Sequence, residues 1–170
     1  MEHITKLNDL LSDQLEMLLS SELQLLYGLP RIIPNLNSLE LKSIAERDIE
    51  IKKRSVNELG VVMAEIDIAP VGLRDNVMHE LMNNANKLIE KSIDLEILDA
   101  GMILILQQIN HYLIATYGTL SSYLILLNHE EAGNRLHKLL IEYKKIDYNL
   151  TEIAEKEINK KAKFPNIQDI

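Results

Sequence analysis

Apolar residues along this chain recur at intervals of three and four, and no stretch alternates in steps of two, so the pattern predicts helices and no strands. The first helix runs from about Asn8 to Tyr27, with Leu11, Leu15, Leu18, Glu22, Leu25 and Leu29 along one side. Gly28 and Pro30 mark a kink or an end, and Ile32 and Ile33 extend a short helical segment to Pro34. Asn37 or Ser38 caps a second helix over Leu39 to Glu65, whose stripe is Leu41, Ile44, Asp48, Ile51, Ser55, Leu59 and Val62. Ala69-Pro70-Val71-Gly72 reads as a turn. A shorter helix follows over Asp75 to Ser92, with Val77, Met78, Leu81, Met82, Ala85, Leu88 and Ile89 inward. A third long helix starts at Asp99 and is broken at Asn128-His129, and a fourth covers Glu130 to Lys161. Leu136, Leu140, Tyr143, Asp147, Leu150 and Ala154 share one line of that fourth helix, and Phe164-Pro165 ends it.

The joints between long helices one and two, and between three and four, are short, which makes each pair an antiparallel hairpin. The link between helices two and three is long and carries a helix of its own. Two hairpins joined by one long crossover give an all-α, ferritin-like four-helix bundle with a short extra helix in the crossover. One domain is expected over residues 1–163, with a loose tail over 164–170.

The stretch from Asp99 to Leu127 is apolar nearly all round, yet holds Gln107, Asn110, His111 and Tyr117. Ile103, Gln107, Asn110, Ile114 and Tyr117 fall on one helical face. A buried polar group without a partner costs roughly 1–3 kcal/mol, so something polar must face this helix. The run from Met102 is long enough to span a bilayer, but its polar centre would be costly in lipid, and the core helix of a bundle is the better reading.

Composition narrows the functions. With 170 residues the chain buries a core without staples, and the absence of cysteine excludes disulfides, thiolate metal sites and cysteine nucleophiles. A net charge of -8 argues against nucleic acid as a partner. Lys52-Lys53-Arg54 and Lys160-Lys161 read as solvated helix faces beside acids. No basic flank precedes an apolar run at the N-terminus, so no secretion signal and no membrane partner are expected, and a cytoplasmic location is.

Each long helix carries an odd polar residue on its inner stripe: Glu22, Asp48, Asn110 with Gln107, and Asp147. Converging carboxylates would suit a metal pair, and without metal they must protonate or find partners. The Glu-x-x-His spacing of a dinuclear centre is missing from all four long helices, and His79, His129 and His137 have no acid at ligand spacing before them. Spacing alone therefore favours a polar structural network of Gln107, Asn110, Tyr117 and Tyr143. Within it, Asn110 and Gln107 would bond the tyrosines or each other, and Asp48 would pair with a Lys or Arg across the bundle.

The segment His111-Tyr112-x-Ile114-Ala115-x-Tyr117-Gly118-Thr119-Leu120 resembles the HYEIAxYGTL signature of the YciF-type ferritin-like proteins of bacteria. Leu19 to Leu26 with Leu29-Pro30, Asn84 to Glu90, and Lys144-x-x-Asp147-x-x-Leu150-Thr151-x-x-Ala154 resemble further segments of that family, in order along nearly the whole chain. The resemblance implies a stress-associated bundle, often dimeric, with a dinuclear metal site. Carried over by position, the family's ligands fall at Glu22, at Asp48 and Ile51, at Asn110 and Leu113, within Ile141-Glu142-Tyr143, and at Asp147. Ile51 and Leu113 cannot ligate. The resemblance then implies an eroded centre, no cofactor, and a noncatalytic protein acting through self-association, as a homodimer, or through a protein partner.

Two alternatives stay open. One is an iron- or manganese-binding protein using Glu22, Asp48, His111 and Asp147, with Glu50 and Glu142 in reserve. The other is an interaction module with an apolar outer patch at Leu23, Leu26 and Ile33.

Overall fold

The computed structural model describes residues 3–163, and the tail expected over 164–170 lies outside them. The long helices are α1 (Leu7–Ile32), α2 (Leu39–Glu65), α4 (Leu95–Leu126) and α5 (Glu130–Ile153), with the crossover helix α3 (Asn76–Lys91). α1 packs on α2 and α4, and α5 packs on α2 and α4, so the four close a ring. α3 lies outside it against α1 and α4. The architecture is the ferritin-like one, with no strand among the described residues.

The helix limits follow from local chemistry. α1 runs through Gly28 and Pro30 to Ile32, further than expected, because a proline in the last turn removes only one ladder bond. A short 3-10 turn, Ile33–Asn35, follows. Ser38 caps α2 by accepting from the Leu41 N–H. α4 begins a turn before the expected Asp99, at Leu95, because Asp94 accepts from the N–H groups of Glu96 and Ile97 at 2.8 and 2.9 Å. Asn128, with φ 66°, ends the α4 segment in the left-handed region that asparagine tolerates. The last helix is not continuous to Lys161: a π turn over Ala154–Ile158 interrupts it before α6 (Asn159–Lys163).

Leucine and isoleucine stripes from all four long helices meet in one core, with Met63, Met78, Met82 and Met102 buried in it. Val77, expected inward, is 52% exposed, since it occupies the first turn of α3 on the solvent side. Ile33, expected in an outer apolar patch, is buried, while Leu23 and Leu26 are half-buried. α4 is long and apolar enough to cross a membrane by length and composition alone. Half of its most apolar window is buried inside the protein, as in the core helix of a bundle.

Two buried aspartates fasten the loops. Asp99 accepts from the backbone N–H groups of Asn37 and Ser38 at 2.8 and 2.7 Å, tying the α1–α2 turn to α4. Asp75 caps α3 through Oδ1, which accepts from Val77 and Met78 N–H. Its Oδ2 accepts from Ser21 Oγ on α1 and, at 2.7 Å, from Tyr112 Oη on α4. Burial and the neighbouring Asp75 carboxylate push the Tyr112 phenol well above its ordinary pKa, so it stays a donor.

Asp75→Ala removes a cap and leaves two hydroxyls without their acceptor. It should cost about 2–4 kcal/mol in urea unfolding, against about 1 kcal/mol for the simpler cap variant Asp94→Ala. Equal losses in the two variants would contradict the role given to Asp75.

Candidate functional site

The periodicity of the inner stripes carries polar side chains into the middle of the bundle. On α1, Glu22 lies between Leu18 and Leu25 on the buried face and is wholly inaccessible to solvent. On α2, Asp48, Lys52 and Ser55 follow one another at one-turn spacing and are also buried. Tyr117 of α4 and Tyr143 of α5 complete the layer, both fully buried.

Both tyrosine hydroxyls donate to one oxygen, Glu22 Oε1, at 2.6 and 2.7 Å. Because the Tyr143 proton is spent on Glu22, the 2.8 Å contact with Ser55 has Ser55 Oγ as donor and Tyr143 Oη as acceptor. The two rings stack with centroids 5.1 Å apart and planes 29° apart. Lys52 Nζ stands 3.1 Å from Asp48 Oδ1, 3.9 Å from Glu22 Oε2 and 4.0 Å from the Tyr143 ring centroid. None of its contacts has the alignment of a hydrogen bond, so the ammonium is held by charge and by the ring face.

Burial raises the pKa of Glu22, outweighing the opposing pull of Lys52 and of the two phenol donors. Burial, with the Glu22 charge next to them, also raises both tyrosines well above their ordinary values. With Glu22 ionised, Glu22, Asp48 and Lys52 carry one excess negative charge. A proton on Glu22 leaves Asp48 and Lys52 as a neutral pair, the form a low-dielectric interior favours.

The remaining candidates lie elsewhere. His111 is largely exposed, and its Nε2 is 3.3 Å from Oδ2 of the half-buried Asp147. Gln107 donates to Thr151 Oγ1 at 2.9 Å rather than to a tyrosine. Asn110 is buried with Oδ1 unbonded, as is Asp147 Oδ1. The expected network of Gln107, Asn110, Tyr117 and Tyr143 is therefore divided: the tyrosines bond Glu22, and neither amide joins them. Asp48 finds its cation one turn along its own helix, not across the bundle. Lys52, expected on a solvated face with Lys53 and Arg54, is fully buried, whereas those two neighbours are exposed. The spacing Asp48-x-x-x-Lys52 was the available signal, and it was masked by Ile51, which is also buried. The reserve acids face outward, with Glu50 on Lys53 and Glu142 on Arg54.

This donor set does not fit a dinuclear metal centre. One Glu22 oxygen is taken by two O–H donors, the other and Asp48 face an ammonium, and Ile51 and Leu113 supply hydrocarbon. Among the described residues, no three His, Cys, Asp or Glu side chains group as metal ligands.

Fold and centre together define a ferritin-like bundle with a polar layer at its midpoint. The family model described as "Domain of unknown function (DUF892)" matches residues 6–163, and the chain belongs to that family. Protein YciF of Escherichia coli (strain K12) is 30% identical over 144 residues, 84% of this chain and 87% of that protein. The crystal structure of the E. coli stress protein YciF matches with a TM-score of 0.88 at 26% identity, covering 92% of this chain and 99% of that one. YcfI from Rhodopseudomonas palustris, described as a candidate structural protein, matches at 0.84 and 25% identity, covering 88% and 96%.

Lys52→Met leaves the Asp48 carboxylate without its cation in the interior and should lose about 3–5 kcal/mol, and adding Asp48→Asn should restore a large part of it. Equilibrium unfolding of the four proteins of that cycle gives the coupling, and a coupling near zero would remove Lys52 as the organising cation.

Because the folded-state pKa of Glu22 is raised, its protonation stabilises the protein fully below the ordinary glutamate pKa, and that stabilisation is lost as pH rises through the raised value. The stability of Glu22→Gln relative to the parent should therefore increase from about pH 4 to about pH 8, measured by urea unfolding. A flat difference would mean that Glu22 titrates normally.

Proposed function

We propose that this chain is a noncatalytic, stress-associated bacterial protein in which the dinuclear centre of the ferritin-like bundle has degenerated into a structural charge cluster. The supporting observation is Lys52 Nζ, 3.1 Å from Asp48 and 3.9 Å from Glu22. A built-in ammonium supplies the positive charge that would otherwise come from a cation, and it takes the place between the two carboxylates that a metal would need. The stress role rests on the likeness to the E. coli stress protein YciF. The structural reading agrees with the description of YcfI.

Action then falls to the outer surface. No Asp, Glu, Lys or Arg stands between Asp99 and Glu130, so the outward face of α4 is uncharged over most of its length. Leu104 is 58% exposed and Leu126 70% exposed on that helix. In a chain of net charge -8, this face is the one on which a second copy meets no like charge. The protein is read as a cytoplasmic homodimer joined through α4.

Metal analysis and sedimentation of the same purified sample test this reading. Expected are a dimer and well under one iron or manganese per chain after growth in metal-rich medium. About two ions per chain, the stoichiometry of a dinuclear bundle, with oxygen-dependent oxidation of added iron, would replace it by an iron- or manganese-handling protein.

A further inference from the structure

Away from the buried centre, a groove runs between the C-terminal half of α1 and the crossover helix α3. A cavity of about 340 Å³ there is lined by Arg31 of α1, by Arg74 just before α3, and by His79, Asn83 and Asn86 along α3. Its lining includes no acid, although the chain holds 26 acidic against 18 basic residues. Arg54 and Arg135 pair with glutamates, but Arg31 and Arg74 meet no carboxylate among the described residues. Arg74 Nη2 instead donates to His79 Nδ1 at 2.7 Å, which ties the guanidinium to the first turns of α3 on one wall of the groove. The Glu80 carboxylate accepts from the Asn83 amide at 3.3 Å, and Glu80 does not line the cavity.

The floor is apolar and tight. A Cβ on Gly28 would lie 2.3 Å from Met82 Cε, so the methionine end packs directly on the glycine beneath the basic side chains. Ser20, Gln24 and Tyr27 also line a second cavity of about 490 Å³ on the other side of Tyr27. Its walls are mainly hydrocarbon, from Leu19, Leu23, Pro70 and Leu73. The carboxylate there, Glu16, is buried and accepts from the Val71 N–H at 2.9 Å. Tyr27, 69% exposed, lines both the basic compartment and the apolar one.

The geometry points to a binding site for a small organic anion, a carboxylate or phosphate monoester with an apolar body. Arg31, Arg74 and the Asn86 amide take the oxyanion, while Leu23, Leu73 and the Tyr27 ring take the body. Guanidinium groups suit this task because they offer paired donors to planar or tetrahedral oxyanions and never lose their charge. The acidic remainder of the surface leaves this as a local positive focus for such an ion.

Phenyl phosphate is a suitable probe, titrated into isotopically labelled protein and followed by NMR. Saturable shifts are expected at the Arg31 and Arg74 Nε–H, the Asn86 amide and the Leu23 and Leu73 methyls. Benzyl alcohol, which lacks the charge, should leave those signals in place, and inorganic phosphate, which lacks the ring, should bind more weakly. Arg31→Ala and Arg74→Ala, both at exposed positions, should each weaken phenyl phosphate by about fivefold or more, while Arg47→Ala leaves it unchanged. Shifts that do not saturate, binding indifferent to either arginine, or equal response to benzyl alcohol would overturn the site. Equal affinity for phenyl phosphate and inorganic phosphate would overturn its apolar half.

Discussion

The structure is organised by one enclosed ammonium. Lys52 sits at the bundle's midpoint with no solvent contact, and everything around it answers to its charge. Asp48 pairs with it, Glu22 comes within 3.9 Å, and the Tyr143 ring presents its negative face. The two phenols then bond the glutamate that the lysine does not fully satisfy. One layer thereby joins α1, α2, α4 and α5. An all-aliphatic interior could slide by a turn at little cost, whereas this layer can be satisfied in only one register. Its net contribution to stability is small compared with that of the leucine layers above and below it, because desolvation offsets much of the Coulomb gain.

The fold was legible because it rests on periodicity. The cap signal at Asn37-Ser38 and the stripe that follows it placed α2 close to its observed limits, and loop lengths alone gave the two hairpins and the crossover. Boundaries went astray where a single side chain decides them, as with Asp94 capping α4. The centre was legible only in part. Glu22, Asp48, Tyr117 and Tyr143 stood out as polar groups on apolar stripes, but their pairing depends on which of several adjacent positions turns inward. Ile51 and Lys52 are neighbours and both buried, so the helical wheel named the isoleucine and gave the lysine to solvent. Asn110 and Gln107 point the same lesson: a face is readable from spacing, whereas a partner one helix away is not.

The surface follows a different logic from the interior. α5 and α2 bear the ion pairs, among them Arg135 with Glu58 and Glu65 and Arg54 with Glu142. Such exposed pairs contribute little stability each, but they keep that side of the bundle wet. The outward side of α4 carries no such charges, and the α1–α3 groove carries charges of one sign. A single bundle thus presents three chemically distinct exteriors, each inherited from one or two helices.

The Asp75 carboxylate has a consequence for how the crossover moves. Its two oxygens accept from two amides of α3, a hydroxyl of α1 and a phenol of α4. No subset of these can be released without leaving an anion short of donors in a place water does not reach. The N-terminal end of the crossover helix therefore has no half-attached state of low energy. Release of that end breaks all four bonds together, so opening there behaves as a single step rather than a progressive fraying of the first turn.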